Sequence, residues 1–102
     1  MTEPEAREQL GKFRTRIDEL DGQILDLLNR RARIAEEIGD VKRAAGLPVV
    51  ELAREAAVVE KMVSRNTGPL VDASVAAIYQ AVMLEMRKIQ EVRAAQAAKG
   101  KE

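Results

Sequence analysis

Between positions 10 and 41 the apolar residues fall three or four apart without a slip: Leu10, Phe13, Ile17, Leu20, Ile24, Leu27, then Ile34, Ile38 and Val41. That spacing is the signature of a helix with one apolar seam. One position keeps the period but breaks the chemistry: Arg31 stands where an apolar residue is due. A buried guanidinium is costly unless it is paired. Its partner is either an acid of this protein or an anionic ligand. The second case places a binding site inside a helical bundle.

The first helix is predicted from about Pro4 or Glu5 to Ala45, with Thr2 as its cap and Pro4 in its first turn. Gly46-Leu47-Pro48 stops it, because Gly46 can take a left-handed cap and Pro48 cannot resume the helix. A second helix is predicted from Glu51 or Leu52 to Arg65, with Leu52, Ala56, Val59 and Val63 as its stripe and Val58 and Met62 beside it. Asn66-Thr67-Gly68-Pro69 is a turn. A third helix follows from Asp72, taken as its cap, to about Gln96, with Val75, Ile78, Val82, Met86 and Ile89 on one face. The chain reads as a single domain over 1–102 with its core at about 5–96, and Ala97 to Glu102 lack an apolar anchor and are expected to fray.

The length of the first helix has a consequence. Some forty residues at ~1.5 Å each extend about 60 Å. A compact chain of this size has a radius of gyration of about 13 Å. A monomer would leave the seam bare, so the expected architecture is all-α: one very long, one short and one medium helix forming an intertwined homodimeric bundle.

Composition narrows the function classes. The formal charge is zero, which argues against a nucleic-acid binder. Phe13 and Tyr79 are the only aromatic residues, so there is no stacking platform for bases. Cysteine and histidine are absent, which removes thiolate chemistry and the commonest general base and metal ligand. Neither a metal nor a cofactor is expected. The polar, acidic start is not a signal peptide, and no apolar run approaches a membrane span. A cytoplasmic protein is the expectation.

Candidate binding residues gather around Arg31. Lys42 lies eleven residues on, about three turns, on nearly the same face and roughly 16 Å along the axis. Long side chains converge from there onto a ligand of metabolite size. Arg14 lies seventeen residues before Arg31, roughly 25 Å away, too far for one small ligand on one helix but within reach of a site shared by two subunits. Taken alone, Arg14 and Lys42 read as cations snorkelling to water. Glu51, Arg54 and Glu55 open the second helix, where acids are favoured by the helix dipole alone. Gln90 puts an amide on an otherwise apolar face, and a buried amide needs partners.

Taken together, these residues resemble the all-α class of chorismate mutase over roughly Phe13 to Gln90. The matching stretches are Arg14-x-x-Ile17-Asp18-x-x-Asp21, Leu27-Leu28-Asn29-Arg30-Arg31, Ile38-Gly39-x-x-Lys42, Gly46-x-Pro48-Val49, Arg54-Glu55, Asn66-x-Gly68-Pro69 and Gln90. No one stretch is specific; the ordered set is. The resemblance implies rearrangement of chorismate to prephenate, a step towards phenylalanine and tyrosine. That reaction needs no nucleophile, metal or obligatory proton transfer. It needs a compact substrate conformer and stabilised charge on the ether oxygen.

By the same resemblance, Arg31 and the other subunit's Arg14 would bind the two carboxylates, for which guanidinium is suited. Lys42 and Gln90 would meet the ether oxygen, and Glu55 would accept a hydrogen bond from the ring hydroxyl. Arg54 and the start of the second helix near Glu51 would complete the wall. Two positions depart from the commoner pattern. Glu51 stands where Asp is frequent, and Met86 stands where a serine often assists a substrate carboxylate, which implies weaker substrate binding.

Three other readings stay open. An isochorismate pyruvate lyase shares the arginines and the lysine, although Glu55 favours the mutase. A module of low activity could work with a partner shikimate-pathway enzyme, since such domains are often fused to one; a chain opening at Met1 and closing at Glu102 favours a free-standing enzyme. A structural helical dimer would neutralise Arg31 with Asp21 or Glu36 of the other subunit.

Overall fold

The computed structural model describes residues 1–100 and contains, among them, three α-helices and no strand: α1 (Glu3–Ala45), α2 (Leu52–Ser64) and α3 (Asp72–Lys99). The chain divides into two compact units, Met1–Arg31 and Ala32–Glu102.

The first unit is α1 up to Arg31. Its start is a reciprocal cap: the Glu5 amide donates to Thr2 Oγ1 at 3.2 Å, and the Thr2 amide donates to the Glu5 carboxylate at 3.3 Å. Arg7 pairs with Glu3, and Lys12 with Glu8, one turn apart on the surface. No residue of this unit is buried. Leu10, Phe13, Ile17, Leu20, Ile24 and Leu27 are between 46% and 57% exposed.

The second unit holds the last turns of α1 with α2 and α3. The buried side of α1 is not the apolar seam. Ile34, Ile38 and Val41 stay exposed, whereas Ala35 and Gly39, one position along, are buried. Small residues there let α3 approach closely. A Cβ at Gly39 would stand 3.2 Å from Gln90 Cγ and 3.7 Å from Gln90 Cα. At the end of α1, Gly46 takes φ +70°. The Leu47 amide then donates to the Lys42 carbonyl at 2.8 Å and the Gly46 amide to that of Arg43 at 3.3 Å. This is the paired closure expected of a left-handed glycine cap.

Between α2 and α3, Asn66 organises the turn. Its Oδ1 accepts from the Gly68 amide, and its Nδ2 donates to the Leu70 carbonyl and to Asp72. Gly68 has φ +78°. Asp72 is therefore the first residue of α3 rather than its cap: Val71 holds the cap position without a side-chain bond, and the Asp72 carboxylate serves Asn66.

Two faces differ from the expected ones. On α2, Leu52 and Ala56 are exposed, and the inward residues are Glu55, Val58, Val59, Met62 and Val63. The valine pair sets the inward direction, and the stem of Glu55 shares it. On α3 the buried residues are Val75, Met83, Met86 and Gln90, with Val82 and Ile89 half-buried and Ile78 exposed. At about 100° per residue, Ile78 falls about 60° from Val75 on the side away from Met83 and Gln90. Met83 fills the space instead, as a flexible thioether can.

α3 also runs to Lys99 instead of ending near Gln96. Ala94, Ala95, Ala97 and Ala98 sustain it through propensity without an apolar anchor. The remainder of the expected frayed tail, positions 101 and 102, lies outside the described residues. No helix among the described residues is long and apolar enough to cross a membrane.

Candidate functional site

Lys42 and Gln90, 48 residues apart in sequence, meet in the second unit. The reversal at Gly46 turns the connector back along α1, so Lys42 Nζ donates to the Val49 carbonyl at 3.0 Å and pairs with Glu51 at 3.2 Å. Its third neighbour is Gln90 Oε1, at 3.5 Å. Only 13% of the Lys42 side chain is exposed, so it does not snorkel to water. Gln90 Nε2 donates to the Ala35 carbonyl at 3.0 Å. That bond fixes the amide between α1 and α3 and leaves Nε2 its second hydrogen.

Glu55 is also engaged, by a residue that sequence pattern did not single out. Arg87 on α3 forks onto it: Nη2 donates to Oε1 at 2.6 Å, and Nε to Oε2 at 3.2 Å. The Glu55 hydrogen bond raises the Arg87 pKa above its ordinary value, against an opposing effect of burial. The pair borders an open groove of about 410 Å³ lined also by Ala56, Val59, Glu60, Gln80 and Met83. Sequence carried no local signal for it: Arg87 stands beside Lys88, about 100° around the helix from Met86.

A second cross-helix cluster also escaped sequence reading. Arg93 donates through Nε and Nη2 to Asp40, both at 2.8 Å, and through Nη1 to Glu36 at 3.0 Å. The Arg93 hydrogen bond is the main cause holding the Asp40 carboxyl below its ordinary pKa, with Arg43 contributing. Asp40 in turn raises the Arg93 pKa. This clip lies one helical turn from Gln90 on α3 and two residues from Lys42 on α1, and so steadies both elements that carry the pair.

The other expected residues are distributed as follows. Met86 is buried and brings no hydroxyl. Glu51 is drawn to Lys42 by its side chain. Arg54 is exposed on α2. Arg14 and Arg31 belong to the first unit, where Arg14 is exposed and Arg31 half-buried. Among the described residues there is no cluster of acids, cysteines or histidines fit to hold a metal ion. What the second unit assembles is a set of fixed hydrogen-bond donors, suited to stabilising negative charge on an oxygen atom.

The family model for chorismate mutase type II matches residues 13–91, and the chain belongs to that family. It is 40% identical over 83 residues to the bifunctional chorismate mutase/prephenate dehydratase of Neisseria gonorrhoeae, a match covering 81% of this chain and 22% of that relative. It is 31% identical over 55 residues to the chorismate mutase of Methanocaldococcus jannaschii, covering 54% of this chain and 56% of that one. Among solved structures, Form II of chorismate mutase from Thermus thermophilus superposes with a TM-score of 0.80 at 25% identity, covering 81% of this chain and 94% of that one. The chain thus spans about a fifth of the length of the bifunctional relatives it matches.

Proposed function

We propose that the protein is a chorismate mutase: it converts chorismate to prephenate by an intramolecular Claisen rearrangement, in the biosynthesis of phenylalanine and tyrosine. The observation that carries this reading is the meeting of a largely buried lysine with a buried glutamine at 3.5 Å, within the span that matches the family.

In the rearrangement, a C–O bond of the ether breaks as a C–C bond forms within the same molecule, and the ether oxygen gains negative charge. Lys42 Nζ and the free Nε2 hydrogen of Gln90 donate to that oxygen. The Lys42 bond to the Gln90 carbonyl oxygen is the longest of its three contacts, and it yields first when a charged acceptor arrives. Arg31 and Arg14 of the partner subunit bind the two substrate carboxylates and hold the reactive conformer. Glu55 accepts the ring hydroxyl, and Arg54 and Glu51 complete the wall. With Met86 in place of a hydroxyl donor, substrate binding is weaker than with serine there.

A shared site requires an intertwined homodimer built from the single domain 1–102. Support for it lies in the first unit, whose seam is about half exposed at every apolar position. Association with a second shikimate-pathway enzyme fits the relatives in which a mutase is joined to a prephenate dehydratase. A cytoplasmic location fits such a partner.

The test is loss of chorismate absorbance on adding the purified protein, with products separated chromatographically. Prephenate is the expected product, and Arg31→Ala should reduce its rate by about two to three orders of magnitude. Pyruvate release in place of prephenate would identify a lyase, and full activity in Arg31→Ala would remove Arg31 from the site.

A further inference from the structure

We propose that Arg87 is a positioning residue for this reaction: its guanidinium neutralises the Glu55 carboxylate and fixes its orientation, so that a dianionic substrate meets a paired acid instead of a bare anion. The inference rests on the mutase reading above.

The geometry is specific. Two donors of one planar group engage the two oxygens of one carboxylate, at 2.6 and 3.2 Å, and this sets the plane as well as the position of the acid. The side chains come from different helices, 32 residues apart, and are 27% and 21% exposed. Solvent therefore screens the pair incompletely, and a ligand can still reach it. Each carboxylate oxygen retains another lone pair. A substrate hydroxyl adds to the fork without displacing it.

Charge gives the fork its function. Chorismate carries two carboxylates, and an uncompensated Glu55 beside them is a third negative charge in a partly dry site, where like charges repel more strongly than in water. Glu55 is useful as an acceptor and harmful as an anion; Arg87 leaves the first property and removes the second. Its position also bears on Met86, the preceding residue, which occupies the place of an expected hydroxyl donor. The same helix thus lacks a hydroxyl at position 86 and supplies a cation one residue later.

The experiment compares KM and kcat for chorismate in the native protein, Arg87→Met, Glu55→Gln, the double variant and Arg87→Lys, with folding checked by circular dichroism and thermal midpoint. Arg87→Met should raise KM about tenfold, the scale of one like charge a few ångströms away under partial screening. The double variant should recover most of that KM because no bare charge remains at position 55. Arg87→Lys, which keeps the charge and loses the fork, should keep KM near native and lower kcat. A merely structural role would lower the thermal midpoint and leave KM unmoved.

A KM for folded Arg87→Met within twofold of native overturns the proposal, as does a double variant no better than Arg87→Met. If Arg87→Met does not fold, Arg87→Lys decides: a lowered kcat at near-native KM supports the role, and unchanged kinetics overturn it. Arg31→Ala measured alongside separates the two levels. Loss of activity there with native behaviour of the Arg87 variants removes Arg87 alone, whereas native activity in both removes the mutase site and this inference with it.

Discussion

Gln90 is a neutral amide in a place where an acid would fit, and its neutrality has a cost and a use. It is 9% exposed, and its amide nitrogen already gives one hydrogen to the Ala35 carbonyl. Gln90→Glu replaces a permanent donor with one that donates only while protonated. Mutase activity in that variant should therefore fall as pH rises, over a range where the native profile stays flatter. A variant profile parallel to the native one would contradict the contact with the ether oxygen. At this scale the sequence was partly legible. Gln90 was visible because its amide interrupts an apolar face, and Lys42 because it shares a face with Arg31, although taken alone it reads as a cation snorkelling to water. Arg87 was not, because the acid that explains it lies 32 residues away on another helix, and sequence spacing does not encode which faces will meet.

For whole elements, local signals were read well and the rotation of a helix about its axis less well. Gly46 and the Asn66 turn are decided by backbone conformations that a few neighbouring residues dictate, and both formed where expected. The inward faces of α2 and α3 depend on what lies opposite, and they shifted accordingly to Glu55 and Met83. The end of α1 is joined to α3 by the Arg93 clip, which has a definite pH signature. The Asp40 pKa is lower folded than its ordinary value of 3.8. The clip's stabilisation is therefore complete above that value and is lost as pH falls through the folded one. The gap in thermal midpoint between native protein and Asp40→Asn should be widest near neutral pH and begin to close below about 3.8. A gap independent of pH would mean that the carboxylate charge is not what the clip uses.

At the scale of the whole molecule, the inferred shared site makes two defective chains complementary. Arg14→Ala and Arg31→Ala proteins should each be weak alone. After subunit exchange, a heterodimer has one site lacking both arginines and one site with both, so mixing should restore part of the activity. No recovery after exchange confirmed by mass would mean that Arg14 does not act across subunits. The reason for expecting exchange at all lies in the first unit, in which no residue is buried. A solitary helix of that kind has little stability in water beyond its own hydrogen bonds and surface pairs. Whatever firmness residues 1–31 possess must come from apolar contact supplied from outside them. If a second copy supplies it, order in this segment becomes a matter of encounter as much as of sequence: dilution alone would loosen the part of the chain that carries Arg14 and Arg31, and the cell's level of expression would set how much of the protein is ready to work.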